Sequence, residues 1–166
     1  MSRKPIKKDI KTKQFQLEDI VINIDQKLLD NAKLENKKRL ESFTEYFDDG
    51  KTIKSEFYNS KDNISNGLLK QYHRNGVLEF QLNLIDLKII DTNIETYYKN
   101  GNIHCDMLYK NGILHGLSKG YYFASKLAME VLWDEGTAIS GAYYNKCGYK
   151  KIMTQNQLNK KTIKNT

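Results

Sequence analysis

The imidazole and thiol groups of this 166-residue chain amount to three histidines, His73, His104 and His115, and two cysteines, Cys105 and Cys147. Their one contiguous cluster with a carboxylate is His104-Cys105-Asp106. The surrounding text, Ile103 to Tyr109, alternates in polarity as a strand does, and successive residues of a strand point to opposite faces. Cys105 then faces away from both neighbours. A zinc ion needs three or four ligands converging on one point, and a thiol nucleophile needs its base within hydrogen-bond reach, so the cluster supports neither. Cys105 reads as a small buried hydrophobe and His115 as part of a turn; His73 and His104 could approach each other across adjacent hairpins. Carboxylates are the other candidates. Glu56, Glu79, Asp106 and Glu130 recur near the middle of successive alternating stretches, and stacking would set them in a row. Such a row could hold a cation or a basic partner, or do acid-base work if a pair were desolvated. Recurrence marks a structural position, however, and the expected state is a solvated ladder neutralised by lysines such as Lys54. The glycines open no phosphate loop, and no Ser, His and Asp trio stands in a nucleophile context. No catalytic residue, metal ligand or cofactor is assigned, and the chain reads as non-enzymatic.

The elements that would position these groups announce themselves as repeats. Tyr46-Phe47-Asp48-Asp49-Gly50, Tyr72-His73-Arg74-Asn75-Gly76, Tyr97-Tyr98-Lys99-Asn100-Gly101, Tyr121-Tyr122-Phe123-Ala124-Ser125 and Tyr143-Tyr144-Asn145-Lys146-Cys147-Gly148 align, with leading tyrosines 26, 25, 24 and 22 residues apart. In the fourth unit Ser125 stands for the turn glycine, and the fifth has one extra residue before Gly148. An alternating stretch follows most of these turns, and a second turn is expected at Ser65-Asn66-Gly67, His115-Gly116 and Ser140-Gly141. The second unit has no such glycine, so its turn falls at Asp86 or Asp91. Asn-Gly at 66, 75, 100 and 111 supplies the positive φ that tight hairpin turns demand, and the β-branched and aromatic residues between turns read as half-buried antiparallel strands. An isolated hairpin is marginal in water, so the units must stack in single file over residues 41–153, using many of the eleven tyrosines and six phenylalanines as their inner surface.

The flanks are different material. Residues 1–14 are lysine-rich and expected to be disordered. Residues 15–40 suggest a strand at Phe15–Ile24 and a helix capped by Asp25 with Leu28, Leu29 and Ala32 on one face, covering the end of the first hairpin. Residues 154–166 read as a basic tail. The net charge of +7 divides accordingly: residues 1–40 hold eleven Lys plus Arg and six acids, residues 41–150 twelve and fourteen, and residues 151–166 four and none. The basic excess therefore lies outside the repeats. Apolar runs are far shorter than the about 20 residues of a membrane span, no signal-peptide core follows the basic start, and two separated cysteines make no disulfide framework. A cytoplasmic protein is expected.

The repeated text, best seen in Tyr97 to Gly116, resembles the MORN-type repeat (membrane occupation and recognition nexus), and more closely the variant in bacterial proteins labelled YwqK-family antitoxins. The resemblance implies a mainly β fold, a single-layer antiparallel array of β-hairpins without catalytic residues, used for binding or scaffolding. The antitoxin label implies neutralisation of a partner protein. The residues expected to make that contact are exposed members of the aromatic pairs, Tyr98, Tyr122 and Tyr144, with Trp133 as an anchor provided it is exposed, because aromatic rings give large contact area at low entropic cost. In the alternative, these rings, at least one of each pair, fill the inner face. A second expectation is a scaffold that binds nucleic acid or anionic lipid weakly through the basic tails, in a salt-dependent way.

Overall fold

The polar turns reverse the chain and the alternating stretches between them pair in sequence, so the repeats form one open antiparallel sheet. This is seen in a computed structural model that describes residues 42–59, 66–86, 88–90 and 92–159. The expectations for residues 1–14, for the strand and helix within 15–40 and for residues 160–166 lie outside the described residues. The strands are β1 (Ser42–Tyr46), β2 (Ile53–Asn59), β3 (Gly67–Tyr72), β4 (Leu78–Ile85), β5 (Lys88–Ile89), β6 (Thr92–Tyr97), β7 (Ile103–Lys110), β8 (Ile113–Leu114), β9 (Gly116–Tyr121), β10 (Leu127–Asp134), β11 (Thr137–Tyr144) and β12 (Lys150–Ile152). The sheet order is β1-β2-β3-β4-β6-β7-β9-β10-β11-β12, with β5 on the end of β4 and β8 on the end of β7. A short helix, α1 (Gln155–Asn159), follows. It packs on β11 and buries Leu158, next to the buried Met153, so residues 154–159 are a packed terminus where a tail was expected. No helix among the described residues is long and apolar enough to cross a membrane.

Two kinds of turn alternate, one at each end of the strands. At the aromatic end, the N–H of the residue after the first tyrosine donates to a carbonyl across the turn and its own carbonyl accepts from the residue three further on: His73 with Val77 and Gly76, Tyr98 with Asn102 and Gly101, Tyr122 with Lys126 and Ser125, Asn145 with Tyr149 and Gly148. This pattern aligns Asn145 with Tyr122, and so Tyr144 with Tyr121. The fifth unit has no extra residue, and its leading aromatic is Tyr144, one position later than the spacing suggested. Ser125 takes the glycine position at φ 61°, where an L-residue is strained. At the other end the reversals are Asp86 (φ 49°), Asn111-Gly112 (φ 52° and 78°) and Glu135-Gly136 (φ 45° and 77°). The two successive positive φ values are those of a type I′ hairpin turn. Asp86 is thus the degenerate turn of the second unit. Glu135-Gly136 replaces the expected Ser140-Gly141, which lies inside β11, and His115-Gly116 is a break between β8 and β9 after the true reversal at Asn111-Gly112.

Alternation along the strands, interrupted at the bulges, separates two faces. One runs unbroken from strand to strand as Ser55, Gln71, Phe80, Thr96, Cys105, Gly120, Met129 and Tyr143, each paired with the next. Beside it, Phe57, Leu69, Leu82, Ile94, Met107 and Val131 are buried, and with Phe80, Cys105 and Met129 they belong to the core of the array. The opposite face carries most of the charged and exposed residues, although Glu45 lies on the inner face opposite Ser55 and Ala142, opposite Glu130, is buried.

Candidate interaction surface

The aromatic pairs do two separate jobs, both within the array. The second member of each pair reaches the main chain of the next unit: His73 Nε2–H donates to Tyr97 O at 2.7 Å, Tyr98 OH to Tyr121 O at 2.6 Å and Tyr122 OH to Tyr144 O at 2.8 Å. Each of these rings thereby ties one turn to the main chain of the next unit. The first member turns to a carboxylate: Tyr72 OH donates to Glu56, Tyr97 OH to Glu95 and Tyr144 OH to Glu130, each at 2.6 Å. Tyr98, Tyr122 and Tyr144 are half-buried, and all three hydroxyls are engaged. Trp133 is 1% exposed and faces the core beside Val131, so it cannot serve as an external anchor. Its face was legible, since it alternates with the outward Glu130, Leu132 and Asp134. Removing one staple in Tyr122→Phe leaves Tyr144 O without its donor and is expected to lower stability by about 1 kcal/mol, read as a shifted urea midpoint.

The acids form a row, though a different one from that expected. Strand register places Glu56 opposite Lys70, Lys70 opposite Gln81, Glu95 opposite Asp106, Asp106 opposite Lys119 and Lys119 opposite Glu130. Glu79 is out of this row, because β3 and β4 slip register at Gln71/Tyr72, and it accepts instead from Gln71 Nε2 at 3.1 Å. Glu95, unmarked by the repeat, takes part. The neutralising partners also differ: Lys54 pairs with Glu45 at 3.5 Å, while Glu130 is held by Lys150 at 2.8 Å. The bond from Lys150 and then that from Tyr144 pull the Glu130 carboxyl below its ordinary range. Hydrogen bonds from Thr52 and Lys51 bring Asp49 down to about 2. Burial and the bond to Glu56 push Tyr72 up to about 12, and the bond to Glu95 with burial does the same for Tyr97.

These shifts predict stability lost at both extremes of pH. A depressed carboxyl contributes above its unfolded value and is lost as pH falls through the folded one; a raised tyrosine contributes below 10 and is lost as pH rises towards about 12. Urea midpoints measured against pH should therefore fall below the ordinary carboxylate range and above 10. Glu130→Gln should flatten the acid limb and Tyr72→Phe the alkaline limb.

The histidines do not assemble a site. His73 is committed to Tyr97 O, the His104 ring packs 4.4 Å from the Tyr98 ring centroid, and His115 Nδ1 lies 3.4 Å from Asp134. Cys105 is fully buried on the inner face, away from His104 and Asp106. Among the described residues no group of three or more His, Cys, Asp or Glu is placed to hold a metal ion.

The outer face also exposes apolar side chains. Leu108, Leu117 and Leu132, on the adjacent strands β7, β9 and β10, are 39%, 47% and 41% exposed. Leu117 pairs directly with Leu132, and Leu108 lies against the start of β9, its Cδ2 2.9 Å from where a Gly116 Cβ would stand. Asn93 and Ser140 flank the stripe across the strands. The row containing Glu95, Asp106 and Glu130 runs alongside, two residues away along each strand. The sequence carried the signal, a leucine next to each inward residue, but the aromatic pairs drew attention from it.

Residues 65–86 and 92–111 match the MORN repeat variant family. MORN repeats are non-enzymatic in general and are associated with protein and membrane interactions. No curated protein matches the chain. Solved structures similar to it include those described as the crystal structure of TarM and that of an S. aureus TarM mutant in complex with Fondaparinux, alpha-GlcNAc-glycerol and UDP. Each is 14% identical over 74% of this chain, with TM-scores of 0.36 and 0.35. The chain spans 23% and 24% of their lengths, a likeness too distant to bear on activity.

Proposed function

We propose that the protein is a non-enzymatic binding module whose outer face docks a basic, amphipathic segment of a partner protein. The carrying observation is the stripe Leu108, Leu117 and Leu132 on three adjacent strands beside the like-charged pair Glu95 and Asp106. Contiguous exposed apolar surface bordered by polar groups marks interaction sites. Lys119 opposite Asp106 and the Tyr97 hydroxyl on Glu95 offset part of the repulsion between these two opposed carboxylates, and a cationic partner adds to that compensation. The tyrosines support the stripe from within the array, since their hydroxyls are already engaged.

Capture from the native host tests this with three baits. Wild type and Tyr122→Phe are expected to retain the same partner, and Leu117→Asp/Leu132→Asp to lose it while keeping the wild-type circular dichroism spectrum. Retention by the double aspartate variant would refute the assignment. Neutralisation of a toxic partner, as the likeness to the antitoxin variant implies, is the more specific form of the proposal. It predicts that co-expressed wild type, and not the double aspartate variant, restores growth to cells making the captured partner.

A further inference from the structure

The fold sorts charge in a way that division along the chain conceals. The aromatic turns line one edge of the sheet, and each from the second onward exposes a cation: Arg74, Lys99, Lys126 and Lys146. Arg74 is paired with Asp48 of the first turn. Beyond it the turns formed by 98–102, 122–126 and 145–149 contain no acid, and exposed Lys151 follows on β12. The opposite edge has Asp86, Asp134 and Glu135 against Lys88 and Lys110. Successive aromatic turns are two strands apart, which sets their cations about 10 Å from one another. Lys126 Nζ reaches the Lys146 carbonyl at 3.1 Å, bringing two ammonium-bearing residues to the fifth turn. Two rings stand among these cations. Phe123 is 49% exposed, and Tyr149, at 77%, is more exposed than any other large hydrophobic side chain among the described residues.

We propose that this edge binds single-stranded nucleic acid. A file of cations one turn wide suits a linear polyanion, and exposed rings between them offer faces on which bases stack irrespective of sequence. An acidic protein segment would use the lysines and leave the rings idle; a bilayer would meet only the tips of an edge this narrow. The leucine stripe lies towards the other end of the strands, so the two surfaces are independent and either proposal can fail alone.

Fluorescence anisotropy of labelled dT15 and rU15 with the full chain, at 25 to 200 mM salt, tests the assignment. The triple variant Lys99→Gln/Lys126→Gln/Lys146→Gln is expected to flatten the slope of log affinity against log salt by about 2, at roughly 0.7 per phosphate contact. Lysine-to-arginine replacements at the same positions should keep it. Tyr149→Ala should weaken binding about fivefold or more with the slope unchanged. All four side chains are exposed, and an unchanged urea midpoint confirms that each variant folds. The proposal is overturned by an absence of binding at 25 mM salt, by an unaltered slope in the triple glutamine variant, by loss only when the lysines within 1–13 and 160–164 are replaced, or by anionic vesicles binding through these lysines when the oligonucleotides do not.

Discussion

Replacing Trp133 by alanine is expected to cost about 3–5 kcal/mol of folding stability, enough to unfold a marginal domain. The indole lies on β10 with 1% exposure, among the core residues Val131, Leu114 and Ala138. Its Nε1 has no hydrogen-bond partner among the described residues, so truncation removes mainly a large apolar contact. Urea denaturation followed by near-ultraviolet circular dichroism measures the loss. Trp133→Phe, which refills part of the volume, should recover much of it. Weakened partner binding with an unchanged urea midpoint in Trp133→Ala would instead return the residue to the interaction surface.

Gly67→Ala should be the next most damaging change, at about 2–3 kcal/mol. Gly67 opens β3 without a positive φ, so a turn does not explain it. A Cβ there would fall against Tyr58 O, inside van der Waals contact, and 2.8 Å from Phe57 Cζ. A backbone carbonyl held in the β2–β3 ladder yields little, whereas a ring tip yields more. The expected effect is therefore a lower urea midpoint from local separation of β2 and β3. Gly50→Ala is the control: its Cβ meets nothing within 4 Å, although its φ of 64° still strains alanine. Its loss should be nearer 1 kcal/mol.

Local chemistry was readable from the sequence, and cross-strand chemistry was read less well. Asn111-Gly112 is a reversal because the dipeptide itself tolerates its dihedral angles. Cys105 faces inward because its neighbours alternate. The two meanings of glycine were harder: Gly67 and Gly141 sit where a side chain would strike a neighbouring strand or Met153, a constraint set by residues distant in sequence. The tyrosine pairs looked like contact residues because nothing in a single unit shows that Tyr122 meets the carbonyl of Tyr144, which is 22 residues away. The acid row shifted from Glu79 to Glu95 because the first four aromatic turns each introduce a register slip, as at Gln71/Tyr72 and Thr96/Tyr97, and a slip cannot be counted from spacing alone. The sum of charges was correct as composition, yet it hid a basic edge in repeats whose total is slightly acidic.

The docking face can be tested directly by methyl NMR of leucine-labelled protein titrated with the captured partner. The methyl signals of Leu108, Leu117 and Leu132 should shift or broaden first, while those of the buried Leu69, Leu82 and Leu158 hold their positions. Saturating partner that leaves the three exposed leucines unmoved would contradict the account.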